Sequence, residues 1–211
     1  MVFVNTVVIV QAGFGLTQSA VALALASFGA GSMVAALVLP RLLEKLADRI
    51  AMLGGIGLMV AGMFVGTLVE GHASLMALWF ALGLGYSTAQ TPSGRLLRRS
   101  SNPEDRPALF AAQFALSHAC WLLFYPMAGW LGTRYGMPVT FGVLGCAGAL
   151  SMWIASMVWP SQDPEIIEHE HPDLPTGHAH TQSAIVTGDG VRHAHPFVVD
   201  DHHPNWPNLG G

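Results

Sequence analysis

The sequence predicts an all-α membrane protein with five full transmembrane helices, one partial helix at the N-terminus and a disordered tail. Of the 211 residues, 52% are apolar and only 10% are charged, whereas a soluble domain carries about a quarter charged residues. The charges are also unevenly placed, since residues 161–211 hold 8 of the 13 acids and 8 of the 10 histidines. We therefore predict a transmembrane helical bundle over residues 1–160 and a His/Asp/Pro-rich tail over residues 161–211.

Each of five stretches in the body is long enough to cross a bilayer, which takes roughly 20 apolar residues. They are Ser19–Leu39, Ile50–Val69, Ser74–Thr91, Ala108–Leu131 and Val139–Trp159. None of them contains Asp, Glu, Lys or Arg. Ahead of them, Val2–Val10 is apolar but has neither a basic flank nor a small-residue cleavage site. It therefore predicts half of a transmembrane helix and not a secretory signal.

Loop charge predicts the orientation of the bundle. Seven basic residues lie in the two loops on one side, and a single one, Arg134, lies in the loops on the other side. The seven are Arg41, Lys45, Arg49, Arg95, Arg98, Arg99 and Arg106. Because cytoplasmic loops are enriched in Lys and Arg, we expect these loops and the tail in the cytoplasm. The chain is then a multi-pass protein of the inner (plasma) membrane.

Small residues recur on the predicted spans at a spacing that lets helices approach closely in lipid. The three sets are Ser27, Gly31 and Ala35; Gly54, Gly57 and Ala61; and Gly142, Gly145 and Gly148. Gly29/Gly31 and Gly83/Gly85 also lie inside spans. These Gly-x-Gly pairs predict helix packing and not a nucleotide-binding loop.

Three short motifs in the body form a recognisable set. Leu46–Arg49 read Leu-Ala-Asp-Arg, Gly129–Gly136 read Gly-Trp-Leu-Gly-Thr-Arg-Tyr-Gly, and Tyr125–Gly129 contain Pro-x-x-Gly. With the order of the spans and basic loops, they resemble the C-terminal half of a major facilitator superfamily transporter. Two departures are Glu44, where a leading Gly is expected, and Thr133, where an Asp is expected.

The resemblance implies a six-helix half made of inverted three-helix repeats, with substrate held near the midplane between two halves. It also implies secondary active transport, with efflux coupled to protons. The N-terminal half and most of the seventh helix have no counterpart in this sequence. Three explanations stay open: an N-terminally truncated chain, a half that assembles with an N-terminal half or a second copy, and a membrane protein with another role. The resemblance further implies a conformational latch of Arg41, Asp48 and Arg49, the alternative being simple anchors of topology.

His118 is the one ionisable residue within a predicted span, and such residues indicate function by default. Phe114, His118, Trp121 and Tyr125 share one helical face at spacings of three and four. This face predicts a substrate path in which His118 carries a proton. The alternative is a neutral histidine that is hydrogen-bonded to a neighbouring helix.

Further polar residues lie beside this face and on the fourth span. Gln113 belongs to the adjacent stripe, and Tyr86 and Gln90 are one turn apart on the fourth span. We include all three in the candidate substrate path. The alternative is that their side chains join helices to one another.

Histidines in the tail come in pairs. They are His169 and His171, His178 and His180, His193 and His195, and His202 and His203. Residues two apart in an extended chain point to the same side, so each His-x-His pair offers two imidazoles to one cation. Imidazole is a ligand for Ni, Co and Zn. We predict these eight residues as candidate metal ligands, with no cofactor required by the body.

The His-rich tail after the last helix is similar to that of the nickel- and cobalt-resistance efflux branch of the superfamily. This similarity implies that the tail captures Ni or Co for export. One alternative is a membrane-anchored protein that binds Ni, Co or Zn without moving it, and another is a non-transporting remnant. The segment His195–Asp201 is apolar enough to dock near the basic loops.

Composition and motifs argue against several other classes of protein. With 2 Cys the chain is not a disulfide scaffold, and with a net charge of −4 it lacks the basic patch that nucleic-acid binding needs. No Gly-x-Ser-x-Gly, phosphate-binding loop or His-Glu-x-x-His occurs, so we expect no enzyme. The expected partners are the lipid bilayer, a small-molecule or ion substrate, and another half or a second copy.

Overall fold

The computed structural model describes residues 1–160, 166–171, 185–187 and 190–199. The body is built from helices alone. They are α1 (Val2–Val7), α2 (Gln18–Leu42), α3 (Asp48–Val65), α4 (His72–Gln90), α5 (Ser93–Arg99), α6 (Arg106–Tyr135) and α7 (Met137–Val158). A π-helical segment, Val8–Gly13, continues α1, and a 3-10 turn, Gly66–Leu68, continues α3. The predicted all-α membrane fold is confirmed.

Among the described residues, four helices are long and apolar enough to cross a membrane: α2, α3 with its 3-10 turn, α6 and α7. Val2–Gly13 is a shorter apolar helix, as predicted for the partial span. The remaining predicted span, Ser74–Thr91, is α4, which has 19 residues and is not among the four. Polar residues such as His72 and Gln90 at its two ends lower its mean hydropathy. All five predicted full spans are therefore helices in the structure, and α4 is the least apolar of them.

Helix α4 is instead enclosed by its neighbours. It packs between α2 and α3, and it buries Leu75, Trp79 and Leu82 completely or nearly so. A helix that contacts protein on both sides exposes little surface to lipid, so it tolerates polar residues that an outer helix does not.

Glycines set how closely α4 approaches its neighbours. A Cβ atom on Gly31 of α2 would collide with a backbone carbonyl of α4, and one on Gly83 of α4 would collide with a backbone carbonyl of α2. On the other side, a Cβ on Gly55 of α3 would lie only 2.6 Å from the carbonyl oxygen of Gly85. These backbone-to-backbone contacts are the kind that small residues permit inside lipid.

The predicted small-residue stripes are partly correct. Gly31, Gly145 and Gly148 face neighbouring helices, the last two with atoms 3.2 Å from an added Cβ. Gly54 and Gly142 face open space, so their prediction as contact residues was wrong. Successive residues are about 100° apart around a helix, so a one-residue error in the stripe moves it to another face.

Buried polar side chains tie the short first helix to the bundle. The Asn5 amide donates to the Ala128 carbonyl of α6 over 3.1 Å. The Trp79 indole donates to the Thr6 hydroxyl over 2.8 Å, and that hydroxyl donates to the Val2 carbonyl. Since lipid offers no hydrogen bonds, each of these groups needs a partner within the protein. The contacts fix α1 against both α4 and α6.

A single glycine connects α6 to α7. Gly136 has a φ of +84°, a conformation that side chains with a Cβ rarely adopt. The predicted spans end at Leu131 and resume at Val139, but α6 continues to Tyr135 and α7 begins at Met137. The two helices therefore reverse direction within one residue, which explains the last glycine of the Gly129–Gly136 motif.

Three short strands follow the body. They are β1 (Ile166–His171), β2 (Ile185–Thr187) and β3 (Gly190–Pro196), and they form an antiparallel sheet in the order β1-β3-β2. The tail was predicted to be disordered, whereas the structure has strands at these residues. The average hydropathy of the tail is low, but the tail contains short runs of β-branched residues, such as Ile166–Ile167 and Ile185–Val186. Such residues favour strands.

Candidate functional site

One end of the bundle carries the basic residues, and we call it the basic end. It comprises the end of α2, the start of α3, helix α5 and the end of α7. Separate helices are joined here, because Asp48 of α3 bonds to α5 and Arg49 of α3 bonds to the end of α7.

Asp48 forms a two-pronged ion pair with Arg95. Asp48 is the first residue of α3, where the helix dipole favours an acid. The Arg95 Nε lies 3.1 Å from Oδ2, and its Nη2 also contacts Oδ1. The Asp48 side chain is 6% exposed and that of Arg95 is 36% exposed. Parallel bonds from a guanidinium to a carboxylate hold both groups in a defined geometry, so this pair fixes α3 to α5.

Arg49 binds the end of α7. Its Nη2 donates to the Ser156 carbonyl over 2.9 Å, and its Nε donates to the Trp159 carbonyl over 3.3 Å. The last carbonyls of a helix have no partner within the helix, and a basic side chain there also complements the helix dipole. Two successive residues of α3 thus tie it to two different elements.

The predicted latch residues are only partly brought together. Asp48 and Arg49 engage other elements, whereas Arg41 lies exposed in the last turn of α2. Within the described part of the chain, Arg41 makes no side-chain hydrogen bond or ion pair. The partner of Asp48 is Arg95, which was predicted only as one of the basic residues that set the orientation of the bundle. The pair spans 47 positions, and no local spacing signals such a contact.

Four rings form a ladder along α6. The ring centroids of Phe114 and His118 lie 3.8 Å apart, those of His118 and Trp121 4.6 Å, and those of Trp121 and Tyr125 5.9 Å. The ladder lies on an uncovered surface, since Phe114 is 65% exposed and Trp121 is 41% exposed. Neither ring is buried against another described helix.

The hydrogen bond of His118 defines its tautomer. Its Nδ1 lies 2.8 Å from the carbonyl oxygen of Phe114. Because a carbonyl oxygen only accepts, Nδ1 carries the hydrogen, and Nε2 of the neutral ring keeps its lone pair. His118 is exposed, so this nitrogen is accessible from outside the helix.

The other candidate path residues lie apart from this ladder. The Tyr86 ring lies 5.9 Å from that of Phe28 of α2, at a tilt of 44°. Gln90 is exposed at the last position of α4, and the Gln113 carbonyl accepts from Ser117. Within the described residues, no hydrogen bond or ring contact joins Tyr86 or Gln90 to the His118 ladder.

An apolar cavity of about 330 Å³ lies beside Tyr86. It is lined by side chains of α1, α2, α3, α4 and α7, among them Met1, Phe28, Met59 and Met63. The lining is mostly apolar.

The strand register of the tail places two predicted metal ligands opposite each other. His169 of β1 lies directly across from His193 of β3, while His171 is opposite Val191 and His195 is opposite Ile167. His178, His180, His202 and His203 lie outside the described residues. In the described part of the chain, no group of three or more His, Cys, Asp or Glu side chains is placed to hold a metal ion.

The long apolar helices define a membrane protein with several spans. At the basic end, side-chain bonds join α3 to α5 and to the end of α7. A family model described as Major Facilitator Superfamily matches residues 1–188. The chain belongs to the major facilitator superfamily of transporters, as its motifs had indicated. No curated protein and no solved structure matches it.

Proposed function

We propose that this chain is a proton-coupled efflux transporter of the major facilitator type, acting as a half that needs a second unit. The observation that carries the proposal is the pair of ties made by Asp48 and Arg49 at the basic end. Alternating access requires one end of a bundle to be held closed and then released. A bidentate ion pair and a helix-end clamp are reversible contacts suited to that role.

The exposed ladder on α6 supports the need for a second unit. An ionisable side chain within a span is costly when it faces lipid, and such residues normally face the interior of a bundle or a water-filled cavity. His118 is exposed in this chain. A second unit, either an N-terminal half or another copy, would cover this surface and create the path between the units.

In this proposal, His118 carries the coupling proton. Its Nε2 has the lone pair, and Nδ1 is held by the Phe114 carbonyl. Protonation at Nε2 adds a positive charge on the ladder, which Trp121 flanks at 4.6 Å. The basic end and the tail lie in the cytoplasm, and the chain resides in the inner (plasma) membrane.

Proton-coupled exchange in everted membrane vesicles tests this proposal. The vesicles contain the chain alone or with a candidate N-terminal half, and a pH-sensitive dye reports proton movement when Ni²⁺, Co²⁺ or tetraphenylphosphonium is added. We expect at least one probe to release protons, and we expect His118→Ala to abolish the signal because the carrier nitrogen is lost.

Ser117→Ala is the matched control, because Ser117 precedes His118 and bonds only within its own helix, to the Gln113 carbonyl. It is expected to behave as the wild type. Normal proton release by His118→Ala would contradict the role of His118. If no probe causes proton release in either kind of vesicle, the result would favour a non-transporting remnant.

A second candidate function is binding of Ni, Co or Zn by the tail. The observation in its favour is the direct opposition of His169 and His193 in the strand register, because cross-strand partners have Cβ atoms about 5 Å apart. Similarity to the nickel- and cobalt-resistance branch makes such a metal the proposed cargo.

Equilibrium dialysis of the purified full chain against Ni²⁺ tests the second candidate. The double variant His169→Ala/His193→Ala is expected to weaken binding at least about tenfold, as losing ligands or their partners typically does. His72→Ala is the control, since His72 lies in the body and contacts the Ala20 carbonyl. Equal binding by the double variant and the wild type would contradict a site at these strands.

A further inference from the structure

The tail contacts α5 through a backbone hydrogen bond made by a residue of an apolar cluster within the tail. The Val199 amide donates to the Arg99 carbonyl over 3.0 Å. Ile167, Phe197 and Val199 form a buried cluster and are 2%, 3% and 6% exposed. Arg99 is itself 8% exposed. The tail segment after β3 therefore covers the end of this helix.

The amide of Val199 caps the last carbonyl of α5. A helix ends with carbonyl groups that have no partner of their own. In α5, the Leu96 carbonyl accepts from the Ser100 amide and the Leu97 carbonyl accepts from the Ser101 hydroxyl. The carbonyl of Arg99, the last residue, accepts from the tail.

Helix α5 depends on such external contacts. It has only seven residues, and a helix of that length is unstable by itself in water. Arg95, one turn before Arg99, forms the ion pair with Asp48. The same short helix is thus held by α3 at Arg95 and by the tail at Arg99.

We propose that the tail is an intramolecular clasp that stabilises α5 and thereby keeps Arg95 against Asp48. When the segment 197–199 is docked, α5 stays helical and the ion pair stays formed. When the segment is released, α5 frays and the tie between α3 and α5 loosens. The tail then controls the ion pair at the basic end through its contact with α5, whatever the transported substrate is.

Hydrogen–deuterium exchange of the full chain in lipid nanodiscs tests the clasp. Phe197→Asp places a charge in the buried cluster, and we expect the amides of Ser93–Arg99 to exchange roughly tenfold faster than in the wild type, since local opening becomes easier. Val198→Asp is the matched control, because Val198 lies between two members of the cluster but is only partly buried. It is expected to leave exchange in α5 unchanged.

A second pair of variants isolates the hydrogen bond. Val199→Pro removes the amide donor and is expected to speed exchange in α5, whereas Val199→Ala keeps the donor and is expected to have a smaller effect. Slow exchange in α2 and α4 serves as the internal measure that the body is folded. The proposal is overturned if Phe197→Asp frees residues 190–199 while α5 stays protected, or if neither segment changes.

Discussion

Replacing Gly31 with alanine is expected to destabilise the bundle, whereas the same change at Gly29 is not. The added Cβ would collide with the backbone carbonyl of Phe80 and would lie 3.0 Å from the backbone nitrogen of Leu84. Backbone atoms cannot rotate aside as a side chain can, so α2 and α4 must move apart. Overpacking of this kind costs about 1–3 kcal/mol.

The loss of stability in Gly31→Ala should involve more than the contact of Gly31 with α4. Gly83 makes the reciprocal contact from α4 to the Phe28 carbonyl, so moving the helices apart breaks both close approaches at once. Since α4 also packs on α3, the displacement affects three helices. The thermal unfolding midpoint in detergent should fall by about 2–4 °C for each kcal/mol lost.

Gly29→Ala provides a control on the same helix, two residues away. A Cβ at Gly29 meets nothing within 4 Å, and alanine is the better helix former by roughly 1 kcal/mol. Its unfolding midpoint should match or exceed that of the wild type. Equal destabilisation by the two substitutions would contradict the helix crossing described here.

Removing Arg95 is expected to give the second large effect. In Arg95→Ala, the Asp48 carboxylate, 6% exposed, loses its bidentate partner. Breaking a fully buried pair costs roughly 3–5 kcal/mol, but Arg95 is 36% exposed and solvent screens part of its charge. We therefore expect a loss of about 1–3 kcal/mol in the free energy of unfolding.

Two further variants show whether the loss belongs to the ion pair. Arg98→Ala removes a neighbouring arginine of α5 that is exposed, and it should change the unfolding midpoint little. A double-mutant cycle with Asp48→Ala should give a coupling energy of about 1–2 kcal/mol, within the range for contacting residues. A coupling energy near zero would show that the two side chains do not stabilise each other.

The sequence was sufficient to predict the helices but not the contacts between their ends. Long apolar runs determine spans directly, so Gln18–Leu42 and Met137–Val158 lie close to their predicted bounds. Val2–Gly13 is short and apolar, as predicted. The π-helical segment Val8–Gly13 was not foreseen, because its composition is that of an ordinary apolar helix.

The candidate site was less predictable because it depends on tertiary packing. Asp48 was predicted as a latch residue together with Arg41 and Arg49, whereas its partner in the structure, Arg95, is 47 positions away and follows from the way α5 lies against α3. The tail sheet arises from short strands that pair over distance, such as Ile167 with His195. The predicted docking of His195–Asp201 is supported by the contact of Val199 with Arg99, although its consequence for α5 was not anticipated.

The most direct test of the central claim is cysteine labelling from the two sides of the membrane. Native Cys120 and Cys146 are first replaced by serine, and single cysteines are then placed at Arg98 in α5 or at Glu70 before α4. Both positions are exposed, and they lie at opposite ends of α4.

The proposed orientation has the basic end in the cytoplasm. It predicts that a membrane-impermeant maleimide labels Glu70→Cys in intact cells and Arg98→Cys only in everted vesicles. Labelling of Arg98→Cys in intact cells would contradict this orientation. Recovery of the chain as a water-soluble protein without detergent would contradict the membrane-spanning fold itself.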